Sequence, residues 1–565
     1  MKNYCDGGEA ILEALRNLGI EYIISSPGSE WGPLWEALVR QKVNKTAGPT
    51  YMDVWHETIA VDMAIGYTQI TGKPLAVVLH AGMGLMQGSV GIHAALQGEI
   101  PMIVLSGEAL SYGENPAFDP GLQWYRSLNV VGGPQRLIEP IVKWASQASS
   151  SYTLYESVVR GVEMAQRAPS GPVYLNIPIE NMLAEWTPPQ KMRKVPPAPA
   201  VQPMAADIDR VTKLLTEAKN PVITTDSAGK DPATVAALVE LAELLAIPVV
   251  EGSFCGYANF PRDNPLYLGG DFKPFLDTSD LVLLVRSRIP WYPPSRSPRN
   301  ATIVAIDESP LKNFMVYQNL QADHYLEGSA AASLTMLTRA LRAMGAAPEN
   351  FRERRGRWSR EHDKLMSDLR AAEAKAHNGD AIDPLTLIVA LREAMPRDVA
   401  YVDETITHRP LVGRHMAWTQ PQSYFYVNGA LGQGLGVALG VKLASPKRPV
   451  ALLIGDGSFL YNPVIQGLGA SRDQNLPLLI VVFNNKKYKA MQQNHADYYP
   501  DGVAVSSGIF YGTELNGPVY SEIGRPFGFG GRRVSKASEL KDAIGNAMKD
   551  VAGGKTVILD VELSH

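Results

Sequence analysis

The stretch LLIGDGSFLYN, Leu452–Asn462, places an acidic residue where a buried strand ends. The residues before it are apolar and predict a strand covered on both faces, as in a parallel sheet. This strand stops at Gly455-Asp456-Gly457. A turn does not require a carboxylate, and a bare diphosphate would be repelled by one. The position of Asp456 therefore calls for a chemical explanation.

A pair of asparagines ends the next apolar strand along the chain. LPLLIVVFNN places Asn484-Asn485 there, and one crossover helix is expected between the two strands. Because the carboxyl ends of parallel strands share the edge where α/β sheets bind ligands, Asp456 and the asparagines are expected on one rim. Carboxylate and amide oxygens suit Mg²⁺, which shares its octahedral oxygen shell with phosphates. The glycines and the next helix N-terminus would let an anion approach the backbone. The motif predicts a diphosphate bound through Mg²⁺.

Apolar runs alternate with helical periods along most of the chain. EYIISS, PLAVVLH, PMIVLSG and PVYLNIP predict strands in the first third, and similar runs follow in the middle and last thirds. Such alternation predicts parallel sheets with helices on both faces. The 565 residues allow about three domains of ~150–200 residues each. The expected fold class is α/β, with three doubly wound parallel-sheet domains.

Two segments separate these expected domains. The proline-rich stretch WTPPQKMRKVPPAPAVQPMA predicts an extended linker. A later stretch is charged and helical in period, which predicts a solvated connecting helix. The expected divisions are 1–185, the linker 186–205, 206–345, the connector 346–383, and 384–565.

Composition argues against several classes of partner. The net charge is −4 and no Lys/Arg stripe is present, so nucleic acid and anionic membranes are not expected to bind. No apolar run reaches ~18 residues, so no membrane span is predicted. Cys5 and Cys255 are the only cysteines, which provides no disulfide framework and favours a reducing compartment. The first residues predict a helix rather than a signal peptide, so a cytoplasmic protein is expected.

The Gly-Asp-Gly and Asn-Asn motifs resemble the signature of thiamine diphosphate enzymes of the acetolactate synthase, pyruvate decarboxylase and benzoylformate decarboxylase group. This resemblance implies that Asp456 and Asn485 supply side-chain ligands to Mg²⁺. It implies the backbone carbonyl of Lys487 as a third protein ligand, with the metal bridging the cofactor diphosphate. The three domains would be the pyrimidine-binding, central and diphosphate-binding domains.

Other stretches resemble cofactor-binding segments of the same group. NGALGQGLGVALGVKLASPKRPVALLIGDG, residues 428–457, is similar to the glycine-rich segment before the metal motif. DETITHRP, residues 403–410, resembles the loop that holds the other side of the diphosphate. The residues implied in cofactor binding are Leu431, Gly455, Gly457, Ser458, Thr407 and His408.

Three catalytic residues are implied by the resemblance, which covers nearly the whole chain and is closest to the benzoylformate decarboxylase branch. VWHETIAVDMAIGYTQITGKP is similar to the helix whose glutamate protonates the aminopyrimidine ring, which implies this role for Glu57. SSPGSEWGPLWEAL resembles that branch's substrate loop and places Ser29 at its active-site serine. VVLHAGMGLMQGSVG places His80 at its catalytic histidine, expected to act near an ordinary pKa of ~6.5.

The resemblance implies a thiamine diphosphate-dependent decarboxylase or lyase. Its substrate would be a 2-oxo acid or a 2-hydroxy ketone, and joining an aldehyde to a second carbonyl would be a further capacity. Because Glu57 and Asp456 fall in different expected domains, the site is expected between two chains. A homodimer is the expected minimum, and a homotetramer is expected.

Several alternatives remain. An acetolactate synthase-like carboligase, a 2-hydroxyacyl-CoA lyase or a diketone C–C hydrolase would use the same cofactor. A dinucleotide-binding dehydrogenase is disfavoured, because GQGLGVALG leads into a strand instead of following one. A catalytically silent cofactor-binding subunit is disfavoured by the intact Glu57, Asp456 and Asn485.

Two further regions bear on function. The central domain resembles one that binds FAD in some members, but its glycine cluster is reduced to DSAG, so FAD is not expected. Residues 493–520 are rich in tyrosine and glycine and predict a long loop, either a lid or a solvated excursion.

Overall fold

The strands of the chain form three parallel sheets. The computed structural model describes residues 5–108, 119, 121–252, 255–293, 295–316, 318, 320–376, 379–427 and 429–564. Within these, the strands are β1 Tyr22–Ser26, β2 Thr50–Asp53, β3 Ala76–Leu79, β4 Met102–Glu108, β5 Trp144–Gln147, β6 Pro172–Pro178, β7 Pro221–Thr225, β8 Val249–Glu251, β9 Leu281–Val285, β10 Thr302–Asp307, β11 His324–Glu327, β12 Ala400–Glu404, β13 Tyr424–Tyr426, β14 Val450–Gly455, β15 Leu479–Asn484, β16 Gly530–Val534 and β17 Val557–Glu562.

Helices connect almost every pair of consecutive strands. They are α1 Gly7–Asn17, α2 Gly32–Val43, α3 Glu57–Thr71, α4 Met83–Gln97, α5 Leu122–Arg126, α6 Gly133–Ile138, α7 Ser151–Gln166, α8 Ile179–Leu183, α9 Ala205–Glu217, α10 Pro232–Leu245, α11 Ala330–Ala343, α12 Arg352–Ala376, α13 Pro384–Ala394, α14 Arg409–His415, α15 Gly434–Ala444, α16 Asp456–Tyr461, α17 Val464–Asp473, α18 Lys489–Tyr498, α19 Val503–Ser507 and α20 Leu540–Ala552. Helices between parallel strands cover both faces of a sheet, so the predicted α/β class with three parallel sheets is confirmed.

The first and third sheets have the same topology. Their strand orders are β2-β1-β3-β4-β6-β5 and β13-β12-β14-β15-β17-β16, which match position by position. The middle sheet has five strands in the order β11-β10-β9-β7-β8. The central strands of all three are apolar runs, as parallel strands buried on both faces require.

The chain divides into two compact units. The first comprises residues 1–199, 427–447 and 462–476, and the second comprises 200–426, 448–461 and 477–565. The first unit thus holds the first sheet together with α15 and α17, while the second holds the other two sheets. The five predicted divisions of the chain stay a prediction.

Helices α3 and α15 pack closely inside the first unit. Both are buried on almost every side, which suits helices without a polar face. A side chain at Gly66 would overlap the Val437 carbonyl, and one at Gly440 would overlap the Met63 carbonyl. These glycines let the two backbones approach each other.

Two predictions about the segments that connect strands differ from the structure. The crossover between β14 and β15 contains two short helices, α16 and α17, instead of one, because Pro463 cannot continue the first helix. Residues 493–520 are not one long loop, since α18 continues to Tyr498 and α19 forms a further turn.

The predicted connecting helix is present as α12, on which His362 is the single buried residue among those described. In the part of the chain that the structure describes, no helix has both the length and the apolar character to span a membrane.

Candidate active site

His80 and Glu30 form a pair at the edge of the first sheet. His80 follows β3, Glu30 lies in the turn after β1, and these two strands are neighbours. The Nδ1 atom of His80 lies 3.0 Å from Glu30 Oε1 and 3.1 Å from Oε2. Since a carboxylate only accepts, Nδ1 carries the proton and Nε2 is the atom left for chemistry. The Ala81 amide also donates to Glu30 Oε1, at 2.8 Å.

The pair changes the acid strength of His80. The Glu30 side chain is 1% exposed, whereas that of His80 is 25% exposed and accessible. The hydrogen bond to Glu30 raises the pKa of His80, burial opposes this, and the charges of Glu30 and Glu57 raise it further. The expectation that His80 acts near its ordinary pKa is therefore wrong. His80 keeps its proton to higher pH because a buried carboxylate stabilises the imidazolium.

Two glycines allow the cluster to form. A Cβ at Gly28 would overlap both the His80 ring and the Glu30 carboxylate. A Cβ at Gly84 would lie 2.9 Å from Glu57 Oε1 and 2.9 Å from the His80 Cβ. Because Gly84 has no side chain, Glu57 and His80 can both lie close to it. The structure therefore brings these two predicted residues together.

Glu57 is the first residue of α3. His56 caps the helix, since its Nδ1 accepts from the Thr58 amide at 3.2 Å. A carboxylate at a helix N-terminus is stabilised by the helix dipole. Ser29 opens the short helical turn Ser29–Trp31 and is exposed, in the same turn as Glu30. All three predicted catalytic residues thus lie in the first unit.

Asp456 lies at the junction of β14 and α16 in the second unit. Its Oδ1 accepts from the Gly457 amide at 2.8 Å and its Oδ2 from the Lys486 amide at 2.6 Å. The residue is 2% exposed, and burial raises its pKa to about 6 against the opposing backbone hydrogen bonds. A cation beside it would offset this burial and favour the charged carboxylate.

The turn after β15 places Asn485 beside Asp456. Lys486 has a φ of 58° in this turn. Asn485 Oδ1 accepts from the Lys487 amide at 3.0 Å, and its Nδ2 lies 3.4 Å from His408 Nε2. The Lys486 carbonyl accepts from Leu515, which makes the next carbonyl, that of Lys487, the better candidate ligand.

These groups fit Mg²⁺. Among the described residues no three His, Cys, Asp or Glu side chains cluster to hold a metal, so a metal here must use other oxygens. One carboxylate, one amide and one backbone carbonyl are hard oxygen donors, and Mg²⁺ completes such a set with phosphate oxygens and water.

The other predicted cofactor residues surround this turn or lie in the first unit. A Cβ at Gly457 would overlap the Tyr488 ring, so this glycine is required by packing. At Gly455 a Cβ would meet only ordinary contacts, the nearest being Ser458 Oγ at 3.7 Å. His408 is buried, and burial lowers its pKa to about 4, which keeps it neutral.

For two of the predicted cofactor-binding residues, the structure gives the position but no contact that decides their role. Thr407 is half-buried just before His408, after Ile406 with a φ of 35°. Leu431 is half-buried in the first unit, three residues before α15 begins. The structure therefore brings together one group around Asp456 and another around His80, each within its own unit.

Comparison with known proteins gives matches in the first, middle and last parts of the chain. Three domain families match it in order, each described as a thiamine pyrophosphate (TPP) enzyme domain: the N-terminal TPP binding domain at residues 5–126, the central domain at 208–337 and the C-terminal TPP binding domain at 407–561. The chain belongs to the thiamine diphosphate enzyme family. The predicted resemblance and the predicted cofactor class are confirmed.

Relatives of this thiamine diphosphate enzyme match along its full length. The acetolactate synthase large subunit of Haemophilus influenzae is 24% identical over 99% of the chain and 94% of that protein. Benzoylformate decarboxylase of Pseudomonas aeruginosa is 24% identical over 98% of each. The structure of a thiamine diphosphate-dependent 4-hydroxybenzoylformate decarboxylase from Rhodococcus jostii matches with a TM-score of 0.79, 22% identity and 99% coverage of both chains.

Proposed function

We propose that this thiamine diphosphate enzyme is a Mg²⁺-dependent lyase that cleaves the bond beside the carbonyl of a 2-oxo acid or 2-hydroxy ketone. The observation that carries the proposal is the cluster of Glu57, His80 and Glu30, which offers an acid and a carboxylate at one rim. Decarboxylation of a 2-oxo acid to an aldehyde is the main activity. Joining the aldehyde to a second carbonyl is a secondary activity.

The cofactor would be held by the second group of residues. Asp456, Asn485 and the carbonyl of Lys487 would bind Mg²⁺, which would bind the diphosphate. The cofactor itself would meet the residues predicted above, namely Gly455, Gly457, Ser458, Thr407, His408 and Leu431. Bound thiamine diphosphate supplies the electron sink for carbanion chemistry.

The residues of the first group move protons. Glu57 holds a proton at the aminopyrimidine ring. His80 donates a proton from Nε2 to the substrate oxygen or to the product carbon. Such a proton transfer is general acid catalysis, for which histidine is the most frequent residue. The Ser29 hydroxyl donates a hydrogen bond to the substrate carboxylate, and Glu30 is a positioning residue for His80.

One observation favours decarboxylation over synthesis. A histidine whose pKa is raised keeps its proton to higher pH and is suited to deliver the proton that releases an aldehyde. An acetolactate synthase-like reaction instead requires a second carbonyl in place of that proton. Relatives named for either activity match this chain at the same identity, so product analysis must decide between them.

The assembly and location are part of the proposal. Glu57 lies in the first compact unit and Asp456 in the second. We infer that each site combines Glu57 of one chain with Asp456 of another, in a homodimer or homotetramer. The free cysteines Cys5 and Cys255 support a reducing, cytoplasmic setting.

A substrate panel tests the activity. Purified protein with thiamine diphosphate and Mg²⁺ is incubated with aliphatic and aromatic 2-oxo acids and 2-hydroxy ketones, and CO₂, aldehyde and 2-hydroxy ketone are measured. We expect CO₂ and aldehyde in equal amounts from at least one 2-oxo acid. CO₂ without free aldehyde would favour the synthase, and no product from any compound would refute the proposal.

A further inference from the structure

A cavity of about 230 Å³ in the second unit has four arginines and a histidine in its lining. It lies where α12 meets α13, the end of α14 and the segment before β9. Its basic and acidic lining residues are Arg262, Arg370, Arg392, Arg414, His415 and Glu373, and the remaining wall is largely apolar. No role for any of these residues is predicted from the sequence.

Arg262 is buried with an unsatisfied donor. Its side chain is 4% exposed, and its guanidinium pairs with Glu251 at 2.8 Å and stacks on the Trp418 ring at 3.6 Å. It also donates to the Met416 carbonyl at 2.9 Å. Its Nε finds no acceptor among the described residues. A buried unpaired N–H is costly, so this atom indicates an acceptor that the protein does not supply.

The single carboxylate in the lining is already fully engaged. Glu373 accepts from Arg392 through both oxygens, at 2.8 and 3.0 Å. Its Oε1 also lies 2.8 Å from His415 Nδ1. Glu373 therefore neutralises Arg392 and leaves no carboxylate for the other lining cations.

Arg370 and Arg414 supply the remaining positive charge. They reach the cavity from α12 and α14, and both are exposed. In the described part of the chain neither forms an ion pair with a carboxylate. Both guanidinium groups are therefore available to an anion that enters the cavity.

We propose that this cavity binds a small phosphate-bearing anion, held by Arg370 and Arg414 with Arg262 at its base. The planar guanidinium fork matches phosphate oxygens in bidentate hydrogen bonds. The apolar wall accepts a short organic body, and the volume limits the ligand to phosphate or a small phosphate monoester. The cavity lining includes none of the residues predicted to bind the cofactor.

The test uses the holoenzyme saturated with thiamine diphosphate and Mg²⁺, so that the cofactor site cannot take the probe. Inorganic phosphate and glycerol 3-phosphate are titrated calorimetrically at constant ionic strength. We expect saturable binding of at least one of them. The double variant R370Q/R414Q should bind at least about tenfold more weakly, because two charge-assisted contacts are lost.

Two other exposed arginines provide a matched control. R339Q/R360Q removes two exposed arginines that do not line the cavity, one of them on α12, and should bind as the wild type does. Binding of phosphate and the monoester alike would show that the phosphate group is recognised, and binding of phosphate alone would restrict the site to the free ion. No saturable binding to wild type, or equal affinity in R370Q/R414Q, would overturn the proposal.

Discussion

At the residue scale, the fold joins groups that are far apart in sequence. Glu30 and His80 meet because β1 and β3 are neighbours and both residues follow the carboxyl ends of these strands. Ser29 and His80 are predicted as catalytic residues from the sequence, but Glu30 is not. The signal available was an acidic residue flanked by Gly28, Ser29 and Trp31 after a strand, which alone is also typical of a surface turn.

The Glu30–His80 pair predicts a shifted pH profile. Glu30 is the main cause of the raised His80 pKa, so E30Q should lower that pKa. His80 then loses its proton at lower pH, and the high-pH limb of kcat/KM moves to lower pH. The pH profile of decarboxylation by the holoenzyme measures this. E36Q, at an exposed position of α2, is the control and should leave the profile unchanged. Reduced activity with an unmoved limb would mean that Glu30 is merely structural.

At the element scale, strand identity was predictable wherever a strand is buried on both faces. The runs that became β4, β6, β14 and β15 are mostly apolar and are buried along nearly their whole length. The strands that the sequence analysis did not identify, β2, β5, β11, β13 and β16, all lie at sheet edges. An edge strand has one neighbour and is short or polar, so its pattern carries little apolar signal.

The packing of α3 on α15 predicts a position-specific loss of stability. In G440A the new methyl group would overlap the Met63 carbonyl, and backbone cannot give way as a side chain can. We expect a loss of about 1–3 kcal/mol in the free energy of unfolding, measured by denaturant titration. G545A is the control, because a methyl group within α20 meets nothing within 4 Å and should stabilise by about 0.5–1 kcal/mol. An unchanged midpoint for G440A would contradict this packing.

At the scale of the whole molecule, the chain contains one topology twice. The first and third sheets share a strand order, although no repeat is visible in the letters of the sequence. Topology depends on where apolar runs and helices fall, and many residue types satisfy that pattern. The residues proposed for proton transfer lie in the first unit, and the predicted metal ligands lie in the second.

A site shared by two chains predicts complementation. E57Q and D456N homo-oligomers should each be inactive. Mixed and reassembled subunits should recover about a quarter of wild-type activity, since half of the dimers are hybrids with one intact site out of two. Activity after exchange, compared with each variant reassembled alone, measures this. No recovery despite proven subunit exchange would place both residues of a site on one chain.

The most direct test of the account is calorimetric titration of the cofactor-free protein with thiamine diphosphate. We expect saturable binding with Mg²⁺, loss of binding with EDTA, and binding weakened at least about tenfold in D456N, because this variant lacks the carboxylate charge that would hold the metal. Tight binding that is indifferent to both EDTA and D456N would contradict the assignment of Asp456 as the residue that holds the metal.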